Sequence, residues 1–345
     1  MKAYHLDRPG SINGVVLRET ADPRVTGNDL LVRVAATSIN NRDLMVVNDQ
    51  YGFPITAGLI PLSDAAGVVA AVGPDVRRFK VGDHVAPTLQ IDWIGGPPRP
   101  EYWGSDLGGT LPGVLATKLA LPETAFVKIP AHLSLEEAST LGCAGVTAWN
   151  SLNWPDPIGA ADTVLVQGTG GVSIFALQFA KAMGARVIAT TSSSEKADFL
   201  KSLGADHVID YVAAPDWDQA AIAATRGLGV DLVVETGGPT TIGRSIAALR
   251  IGGRLALVGF SGGPGPALDP LSLIGRGIGI QTISVGSRAD FEDMNRLIEA
   301  HAIRPVIDRV FPFEEAREAL EHLAARQHRG KIVIRVAERI EKESQ

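Results

Sequence analysis

Cysteine is almost absent from this chain, with only Cys143 among 345 residues. A single cysteine excludes an intrachain disulfide and a zinc site built from several thiolates. The sequence also has no apolar run near the roughly 18–20 residues that span a bilayer, and no run of five or more basic residues. Its net charge of −6 disfavours binding to phosphate backbones. We therefore expect neither a nucleic acid nor a membrane as partner.

The composition is that of a folded protein. Hydrophobic residues make up 45% of the chain and charged residues 20%, so buried apolar surface can outweigh the entropy lost on ordering. The length predicts two domains. Lys2, Asp7 and Arg8 interrupt the first ten residues, which do not form the pattern of a secretory signal. We expect a cytoplasmic protein.

The two ends of the chain predict a β-rich domain. Short strand-like runs broken by Gly and Pro favour a mostly antiparallel, barrel-like fold at residues 30–34, 66–72, 84–87 and 125–129. Residues 88–113 form a long Gly- and Pro-rich segment, which is typical of a lid, an interface or a covering flap. A helix at 314–325 and a strand at 331–336 should return to this domain, which then comprises residues 1–145 and 287–345.

Residues 146–286 show a different, alternating pattern. Short, continuously apolar runs predict parallel strands buried on both faces at residues 163–167, 186–191, 207–209, 231–234, 254–258 and 278–285. Helical stretches that end at glycines lie between them, at residues 173–183, 195–203 and 241–250. This order predicts an α/β domain with a doubly wound, six-stranded parallel sheet.

The first predicted strand of that sheet runs directly into a glycine-rich turn. The turn reads Gly168, Thr169, Gly170, Gly171, Val172 and then opens a helix. Gly168 permits a tight turn, and Gly170 lets the backbone approach a pyrophosphate with no Cβ in the way. Amides at the start of the helix then face the anion. Because the turn lies between a predicted strand and a predicted helix, it predicts dinucleotide binding.

The end of the next strand bears on which dinucleotide is bound. Sites for NAD usually place a carboxylate there to hold the ribose hydroxyl, whereas this chain has Thr191, Ser192 and then Lys196. Hydroxyl groups and an ammonium suit a 2′-phosphate, so the pattern favours NADPH over NADH. Two alternatives stay open. The serines at 192–194 can simply cap the following helix, and Glu195 can hold a ribose if the strand extends further.

Motifs along nearly the whole chain resemble those of the medium-chain dehydrogenase/reductase superfamily. They are Asn40-Asn41-Arg42-Asp43, Pro61-Leu62-Ser63-Asp64-Ala65-Ala66-Gly67, Val72-Gly73, Phe79-Lys80-Val81-Gly82-Asp83-His84-Val85, Gly145-Val146-Thr147-Ala148-Trp149, the glycine turn, Leu203-Gly204-Ala205-Asp206, Gly252-Gly253-Arg254 and Gly330-Lys331. The sequence is similar to the zinc-independent quinone oxidoreductase-like and alcohol dehydrogenase-like branch. The resemblance implies a GroES-like catalytic domain beside a Rossmann NAD(P)-binding domain.

The resemblance also identifies the positions where zinc enzymes of the superfamily hold their catalytic metal. Asn40 stands where those enzymes have their first cysteine, and Ser63 and Asp64 stand where they have a His–Glu pair; only Cys143 matches a ligand. The cysteine cluster of the structural zinc lobe is absent after His84. Zinc prefers cysteine sulfur and histidine nitrogen, so we expect no zinc.

Without a metal to stabilise an alkoxide, hydride transfer is easier to acceptors that spread the incoming charge. Quinones and alkenes conjugated to a carbonyl need only hydrogen-bond donors near the developing oxyanion and a source of a proton. Asn40 supplies an amide, and Tyr51 lies where enoyl reductases of the superfamily have their proton-donating tyrosine. Tyr51 can instead be a packing residue near a turn.

Further cofactor contacts follow from the resemblance, although each can also be ordinary turn structure. They are Thr147 near the nicotinamide, Gly237 at the adenosine ribose, Val258, Gly259, Phe260, Val285, Gly286 and Ser287 at the nicotinamide carboxamide, Lys331 at the pyrophosphate and Tyr211 at the adenine. The resemblance also implies a homodimer that pairs the last sheet strand, from Ile278 to Val285, with its symmetry mate.

These observations predict a zinc-independent, NADPH-dependent oxidoreductase that transfers hydride to a quinone or an activated alkene. A small molecule is thus the expected substrate. One rival is an NAD(P)-dependent alcohol or ketone dehydrogenase without catalytic zinc, with Tyr51 in place of the metal. The other is a non-catalytic nucleotide-binding protein that interacts with a partner through its dimer or its loop.

Overall fold

The chain forms two compact units. The computed structural model describes residues 1–259, 265, 268 and 270–337. One unit comprises Met1–Val146 with Gly286–Gln345, and the other comprises Thr147–Val285. The first unit is therefore built from both ends of the sequence, and the second from one continuous segment. Each unit is described by itself below.

Fifteen strands lie within the described residues. In chain order they are β1 (Lys2–Leu6), β2 (Val15–Glu19), β3 (Asp29–Ile39), β4 (Asp64–Val72), β5 (His84–Pro87), β6 (Lys118–Pro122), β7 (Phe126–Lys128), β8 (Thr163–Gln167), β9 (Arg186–Thr191), β10 (His207–Asp210), β11 (Val230–Glu235), β12 (Leu249–Leu257), β13 (Gly279–Thr282), β14 (Ile307–Pro312) and β15 (Lys331–Arg335).

Ten α-helices lie in the same described part of the chain. They are α1 (Asn41–Val47), α2 (Leu135–Ala138), α3 (Val146–Asn153), α4 (Gly171–Ala182), α5 (Ser194–Ser202), α6 (Trp217–Ala224), α7 (Ile242–Ala248), α8 (Leu271–Ile274), α9 (Arg288–Ala300) and α10 (Ala316–Ala324). A π-helical turn at Leu141–Gly145 leads into α3 and carries Cys143.

The first unit is built around a seven-stranded sheet. The strands follow the order β14-β15-β3-β4-β5-β7, and β6 pairs with β3. All pairs are antiparallel except β14 with β15, so the mostly antiparallel arrangement predicted from the sequence is confirmed. Phe126 and Leu30 are fully buried in its core, and each such side chain contributes about 1.5–3 kcal/mol relative to an exposed one.

The C-terminal segment completes this sheet. β15 inserts between β14 and β3, with Ile332 opposite Ile39 and Arg335 opposite Ala36. Residue 331, at the start of β15, is thereby brought beside the end of β3, which lies almost 300 residues earlier in the sequence. The predicted return of the chain end to the first domain is what the structure shows, and it places Lys331 beside Asn40.

The second unit is a six-stranded parallel sheet with the order β10-β9-β8-β11-β12-β13. The chain moves outward from β8 to β10 on one side and then from β11 to β13 on the other, so the strand order reverses beside β8. The bounds predicted for β8 and β9 are those observed. Each strand has an apolar centre, and a glycine or a serine follows its last residue. The α/β class with a doubly wound sheet is confirmed.

Some element boundaries differ from the predictions. The last strand ends at Thr282 instead of 285, because Val285 adopts a positive φ of 67° and its carbonyl accepts a hydrogen bond from Asn150 Nδ2 at 2.8 Å. Helix α6 has no counterpart among the predicted elements; its N-cap residue is Asp216, whose side chain accepts no capping hydrogen bond. Among the described residues, no helix is both long and apolar enough to cross a membrane.

Candidate functional site

The first unit holds a buried polar cluster where helix α1 begins. Asn40 precedes the helix and is only 8% exposed. Its Nδ2 donates to Asp64 Oδ2 at 2.8 Å, and its Oδ1 accepts from the ammonium of Lys331. These two contacts fix which end of the amide faces which partner. The second hydrogen of Nδ2 has no acceptor among the described residues.

The ammonium of Lys331 is fully enclosed by this cluster. Its side chain is 3% exposed, and Nζ donates to the carbonyl of Ile39 at 2.9 Å in addition to Asn40. Asp64 Oδ2 lies 3.4 Å from the same nitrogen and supplies the opposite charge. A buried charge is tolerated when it is paired and hydrogen-bonded in this way. Lys331 therefore holds Asn40 and Asp64 in place.

Tyr51 is positioned by Arg42, a residue of the first turn of α1. Arg42 Nε donates to the Tyr51 hydroxyl oxygen at 3.0 Å, and the guanidinium also lies over the tyrosine ring, 4.7 Å from its centroid. Because the phenol oxygen accepts this hydrogen bond, its own proton is left for another acceptor, and none is present among the described residues. Burial raises the pKa of Tyr51, so the group is a protonated donor at neutral pH.

The segment at residues 88–113 contacts this cluster through Arg42. Asp106 Oδ2 accepts from Arg42 Nη2 at 2.5 Å, and the carbonyl of Leu107 accepts from Nη1 at 2.8 Å. Thr110 donates to the other oxygen of Asp106 at 2.7 Å. Arg42 thus bonds Tyr51 and this segment at once. Asp106 carries no sequence signal of this contact, since nothing local distinguishes this aspartate from those of any polar loop.

Two further titratable groups lie close to the cluster. Burial, together with the charge of Asp64, raises the pKa of the Cys143 thiol to about 12. The thiol is therefore protonated and unreactive at neutral pH. Asp43 is fully buried, and burial raises the pKa of its carboxyl group to about 6 despite the charge of Arg42. Its Oδ2 accepts from the backbone amide of Asn40 at 2.7 Å, so Asp43 fixes the start of the helix.

The raised pKa of Asp43 predicts a pH-dependent stability. Protonation of Asp43 stabilises the folded state. This contribution to the free energy of unfolding is complete below the pKa of the unfolded chain, about 3.9, and is lost as the pH rises through about 6. Asp43→Asn removes the titration. As the pH rises from 4 to 7, wild type should lose stability that the variant keeps. The free energy of unfolding of the variant minus that of wild type should therefore increase by on the order of 1–2 kcal/mol. Urea denaturation measures the difference.

The exposed, uncharged residue Asn41 provides the control for this experiment. Asn41→Ser changes no titratable group, so its difference in unfolding free energy from wild type should not change with pH. A constant difference for Asp43→Asn across the same range would contradict a raised pKa at Asp43.

In the second unit, the predicted cofactor residues gather at one edge of the sheet. The glycine turn follows β8, Thr191 ends β9, Tyr211 follows β10, Gly237 follows β11 and Val258 and Gly259 follow β12. The carboxyl ends of all these parallel strands lie at the same edge, and ligands of doubly wound sheets bind there, where the strand order reverses. Phe260, which was also predicted, lies outside the described residues.

The geometry of the glycine turn fits a bound pyrophosphate. Gly168 has a φ of +72°, which a residue with a side chain rarely adopts. A Cβ on Gly170 would meet no protein atom within 4 Å, so the space in front of helix α4 is open. Ser173 replaces the third glycine of the fingerprint, and its hydroxyl donates to the carbonyl of Gln167 at 2.6 Å. The unsatisfied amides of α4 then face the open space.

Family models match both parts of the chain. Residues 26–131 match the alcohol dehydrogenase GroES-like domain, and residues 171–300 match the zinc-binding dehydrogenase family. A zinc-type alcohol dehydrogenase-like protein of Schizosaccharomyces pombe is 41% identical over 319 residues, which cover 91% of this chain and 92% of the relative. The chain belongs to the medium-chain dehydrogenase/reductase superfamily. It is thus an oxidoreductase that uses a nicotinamide cofactor.

Other members of the superfamily extend the comparison. A putative alcohol dehydrogenase from Sinorhizobium meliloti has a crystal structure with a TM-score of 0.90 and 38% identity, covering 97% of this chain and 98% of that one. An acryloyl-coenzyme A reductase of Sulfurisphaera tokodaii is 29% identical over 349 residues, covering 95% of this chain and 98% of the relative. Relatives of this chain within the superfamily are therefore named both as dehydrogenases and as reductases.

The residues at the superfamily's zinc position do not match the ligands that zinc prefers. Asn40 is bonded to an ammonium, and Ser63 contributes a hydroxyl, so Asp64 and Cys143 are the two residues at these positions whose types zinc binds. Within the described residues, no group of three or more His, Cys, Asp or Glu side chains could hold a metal ion. Ser63 Oγ and Asp64 Oδ1 are buried without hydrogen-bond partners in that part of the chain. The donor set lacks histidine nitrogen and has a single cysteine sulfur.

For two predicted cofactor residues, the structure argues against the predicted role. Lys331 Nζ, expected at the pyrophosphate, is buried and shared among Ile39, Asn40 and Asp64. Ser287 is 1% exposed and caps helix α9, where its hydroxyl accepts from the amide of Asp290 at 3.2 Å. A Ser-x-x-Asp pattern at 287–290 signals this cap in the sequence.

The remaining predicted residues keep positions compatible with their roles. Thr147 is 5% exposed on helix α3, Tyr211 is 42% exposed, and Ser192 is exposed directly after β9. Gly286 is buried at the start of the C-terminal segment. Their contacts with a cofactor stay predictions.

Proposed function

We propose that the chain is a zinc-independent, NADPH-dependent reductase that transfers hydride to a quinone or to an alkene conjugated to a carbonyl. The observation that carries this proposal is the cluster at the start of α1. There, an ammonium fixes the amide of Asn40, and a guanidinium fixes Tyr51 with its proton unused. The cluster offers hydrogen-bond donors where other members of the superfamily offer a metal.

The cofactor, when bound, supplies the hydride. Asn40 Nδ2 and the Tyr51 hydroxyl would donate hydrogen bonds to the oxygen of the acceptor, which becomes negatively charged as hydride arrives. Tyr51 would then give up its proton, and the guanidinium of Arg42, 3.0 Å from the phenol oxygen, would stabilise the phenolate that remains. Lys331 and Asp64 would keep the Asn40 amide in its donating orientation.

The donor set favours acceptors that spread charge. Oxidation of a simple alcohol gains most from a Lewis acid on the alkoxide, whereas quinones and conjugated alkenes delocalise the charge and need only hydrogen bonds. A relative named acryloyl-coenzyme A reductase supports the alkene class. An alcohol or ketone dehydrogenase without catalytic zinc is the second candidate, and the dehydrogenase names of other relatives favour it.

The end of β9 supports NADPH as the cofactor. Ser193 caps helix α5 by accepting from the amide of Lys196 at 3.3 Å, so one serine does the capping and Ser192 next to it stays exposed. The hydroxyl of Thr191 is buried without a partner in the described chain. Ser192 and the Lys196 ammonium would bind the 2′-phosphate. Glu195, exposed on the same turn, is the residue that would serve NADH instead.

Lys196→Ala tests the cofactor assignment. We expect the Kd for NADPH to weaken by about 1–2 kcal/mol, because a charge-assisted contact to the phosphate is lost, with little change for NADH. Lys201→Ala is the matched control, since Lys201 lies on the same helix and pairs with Asp198 at 3.3 Å. Fluorescence titration of each variant with both cofactors measures the effect. Equal losses for NADPH and NADH would argue against a phosphate contact.

Steady-state assays test the function as a whole. The purified chain is assayed with NADPH and NADH against a quinone, a conjugated enone and secondary alcohols, and its metal content is measured in parallel. We expect NADPH oxidation with the quinone or the enone, unaffected by a chelator. Turnover of secondary alcohols alone would favour the dehydrogenase. Tightly held zinc needed for activity would contradict the proposal, and no turnover with any acceptor would favour a nucleotide-binding interaction protein.

We also propose a homodimer that pairs strand β13 with its symmetry mate, as the superfamily resemblance implies. β13 lies at the edge of the six-stranded sheet and pairs with β12 on one side only within the described residues. Leu271 and Ile274, on the short helix before it, are each 74% exposed. An exposed edge with nearby apolar side chains favours association. A small-molecule substrate and a cytoplasmic location stay predictions.

A further inference from the structure

A buried carboxylate lies at the carboxyl end of β11, in the middle of the sheet edge described above. Glu235 is fully buried. Its Oε1 accepts from the amides of Gly237 and Gly238 at 2.7 and 2.8 Å and from the hydroxyl of Thr241 at 2.6 Å. Its Oε2 accepts from Gln167 Nε2 at 3.0 Å and from the hydroxyl of Ser245. The buried charge is thus fully hydrogen-bonded.

Gln167 connects this carboxylate to the glycine turn. It is the last residue of β8 and immediately precedes Gly168. Its Oε1 accepts from the amides of Thr236 and Gly237 at 3.0 and 3.2 Å. The amide orientation is fixed, since Oε1 faces two backbone donors and Nε2 faces Glu235. We call Gln167 and Glu235 together the Gln–Glu pair.

The pair also reaches the end of the next strand. The backbone carbonyl of Glu235 accepts from the amides of Val258 and Gly259 at 2.9 and 3.1 Å. A Cβ on Gly259 would lie 2.6 Å from the carbonyl of Thr236, so this strand end approaches the loop after β11 closely. The ends of β8, β11 and β12 are therefore joined through two neighbouring side chains and one backbone carbonyl.

Core stability alone does not explain a charge at this position. Burying an ion pair or a polar network is often no more stabilising than burying apolar side chains of the same volume, because the groups lose their hydration. Such a network instead selects one arrangement of the backbone groups that it bonds. Here, those groups are amides of the loops at the sheet edge where doubly wound sheets bind ligands.

We infer that Gln167 and Glu235 are positioning residues that hold the loop after β11 and the glycine turn in the geometry that binds the dinucleotide. This inference rests on the proposed use of NADPH. Neither residue needs to touch the cofactor. Because the amides of residues 236–238 and 258–259 donate to the pair or to the Glu235 carbonyl, the backbone of both loops is ordered before binding, so that binding does not have to order it.

The test changes which residue of the Gln–Glu pair carries the carboxylate and which carries the amide. In Glu235→Gln, the new side-chain amide of residue 235 lies opposite the amide of Gln167. One NH₂ donor then faces the other, and it loses its acceptor. We expect the Kd for NADPH to rise about tenfold, which corresponds to the loss of one buried hydrogen bond to a charged group. The kcat at saturating NADPH should stay within about twofold of wild type, because the acceptor-binding cluster is untouched. Fluorescence titration and steady-state kinetics give both values.

The double variant Gln167→Glu with Glu235→Gln restores the complementarity in reverse. The carboxylate then comes from residue 167 and the amide from residue 235. We expect its Kd for NADPH to return to within about threefold of wild type, since the two sites are directly coupled, whereas Gln167→Glu alone should bind as weakly as Glu235→Gln. A residue that served only general stability would not show this rescue.

A milder variant keeps the test informative if the others fold poorly. Ser245→Ala leaves both members of the pair in place, removing one donor to Glu235 and one acceptor of Gln167 Nε2, and should raise the Kd about two- to threefold. Unchanged NADPH binding in folded Glu235→Gln, or binding by the double variant no tighter than by either single variant, would overturn the inference. Failure of the wild-type chain to bind NADPH or NADH would overturn the proposed function, and with it this inference.

Discussion

Tyr51→Phe should lower kcat for the quinone or enone by about 10²-fold while leaving the Kd for NADPH unchanged. The variant keeps the ring, which packs edge-on against Phe53 with centroids 5.5 Å apart and lies beside Arg42. It removes the hydroxyl whose oxygen accepts from Arg42 and whose proton is unused. The loss should therefore appear in the reduction step and not in cofactor binding. Single-turnover oxidation of bound NADPH measures that step directly.

Tyr102→Phe is the matched control for this substitution. Tyr102 lies in the same unit and stacks on Trp93 with ring centroids 5.9 Å apart, but it makes no hydrogen bond through its hydroxyl in the described structure. Its replacement should leave kcat unchanged. An unchanged rate for Tyr51→Phe as well would make Tyr51 a packing residue, and the donor role would then fall to Asn40 alone.

Gly170→Val should abolish measurable cofactor binding, with a Kd for NADPH raised at least about 10²-fold, while the protein folds normally. Gly170 has a φ of −73°, which valine adopts without strain, and a Cβ there would meet no protein atom within 4 Å. The added side chain would instead fill the space that the pyrophosphate needs. Normal folding with lost binding would show that the ligand, and not the turn, requires glycine at this position.

Gly159→Val supplies the comparison for that experiment. Gly159 lies in the same unit, and a Cβ there also meets no protein atom within 4 Å, but it precedes β8, whereas the glycine turn follows that strand. Its thermal unfolding and its NADPH affinity should both match wild type. If Gly170→Val bound NADPH as tightly as Gly159→Val, the turn would not be a pyrophosphate site.

Much of the second unit could be predicted from the sequence because its signals are local. Continuous apolar runs give the strands, and the glycines give the turns, so β8 and β9 were placed to the residue. The short edge strand was overestimated, since the apolar run continues past Thr282 although the backbone turns at Val285. Where a strand ends depends on the partner strand, which the sequence of one segment does not contain.

The candidate site could be predicted only in part. Asn40 and Tyr51 were singled out by resemblance, and the structure gives each a polar partner that fixes it. The roles of Arg42 and Asp106 could not be found, because their contact joins residues 64 positions apart. For Lys331, the resemblance implied a contact with the pyrophosphate, yet a partner 291 residues away holds the side chain inside the fold.

The contact between Lys331 and Asn40 determines when the polar cluster is completed during synthesis. Asn40 and Asp64 emerge early during synthesis, but the ammonium that orients them arrives with β15, almost 300 residues later. Until then, two polar side chains of the future site lack their cation, and β3 lacks one of its neighbours. A product truncated or stalled before β15 is thus left without the complete polar cluster, so the proposed donor groups are oriented only once β15 has been translated.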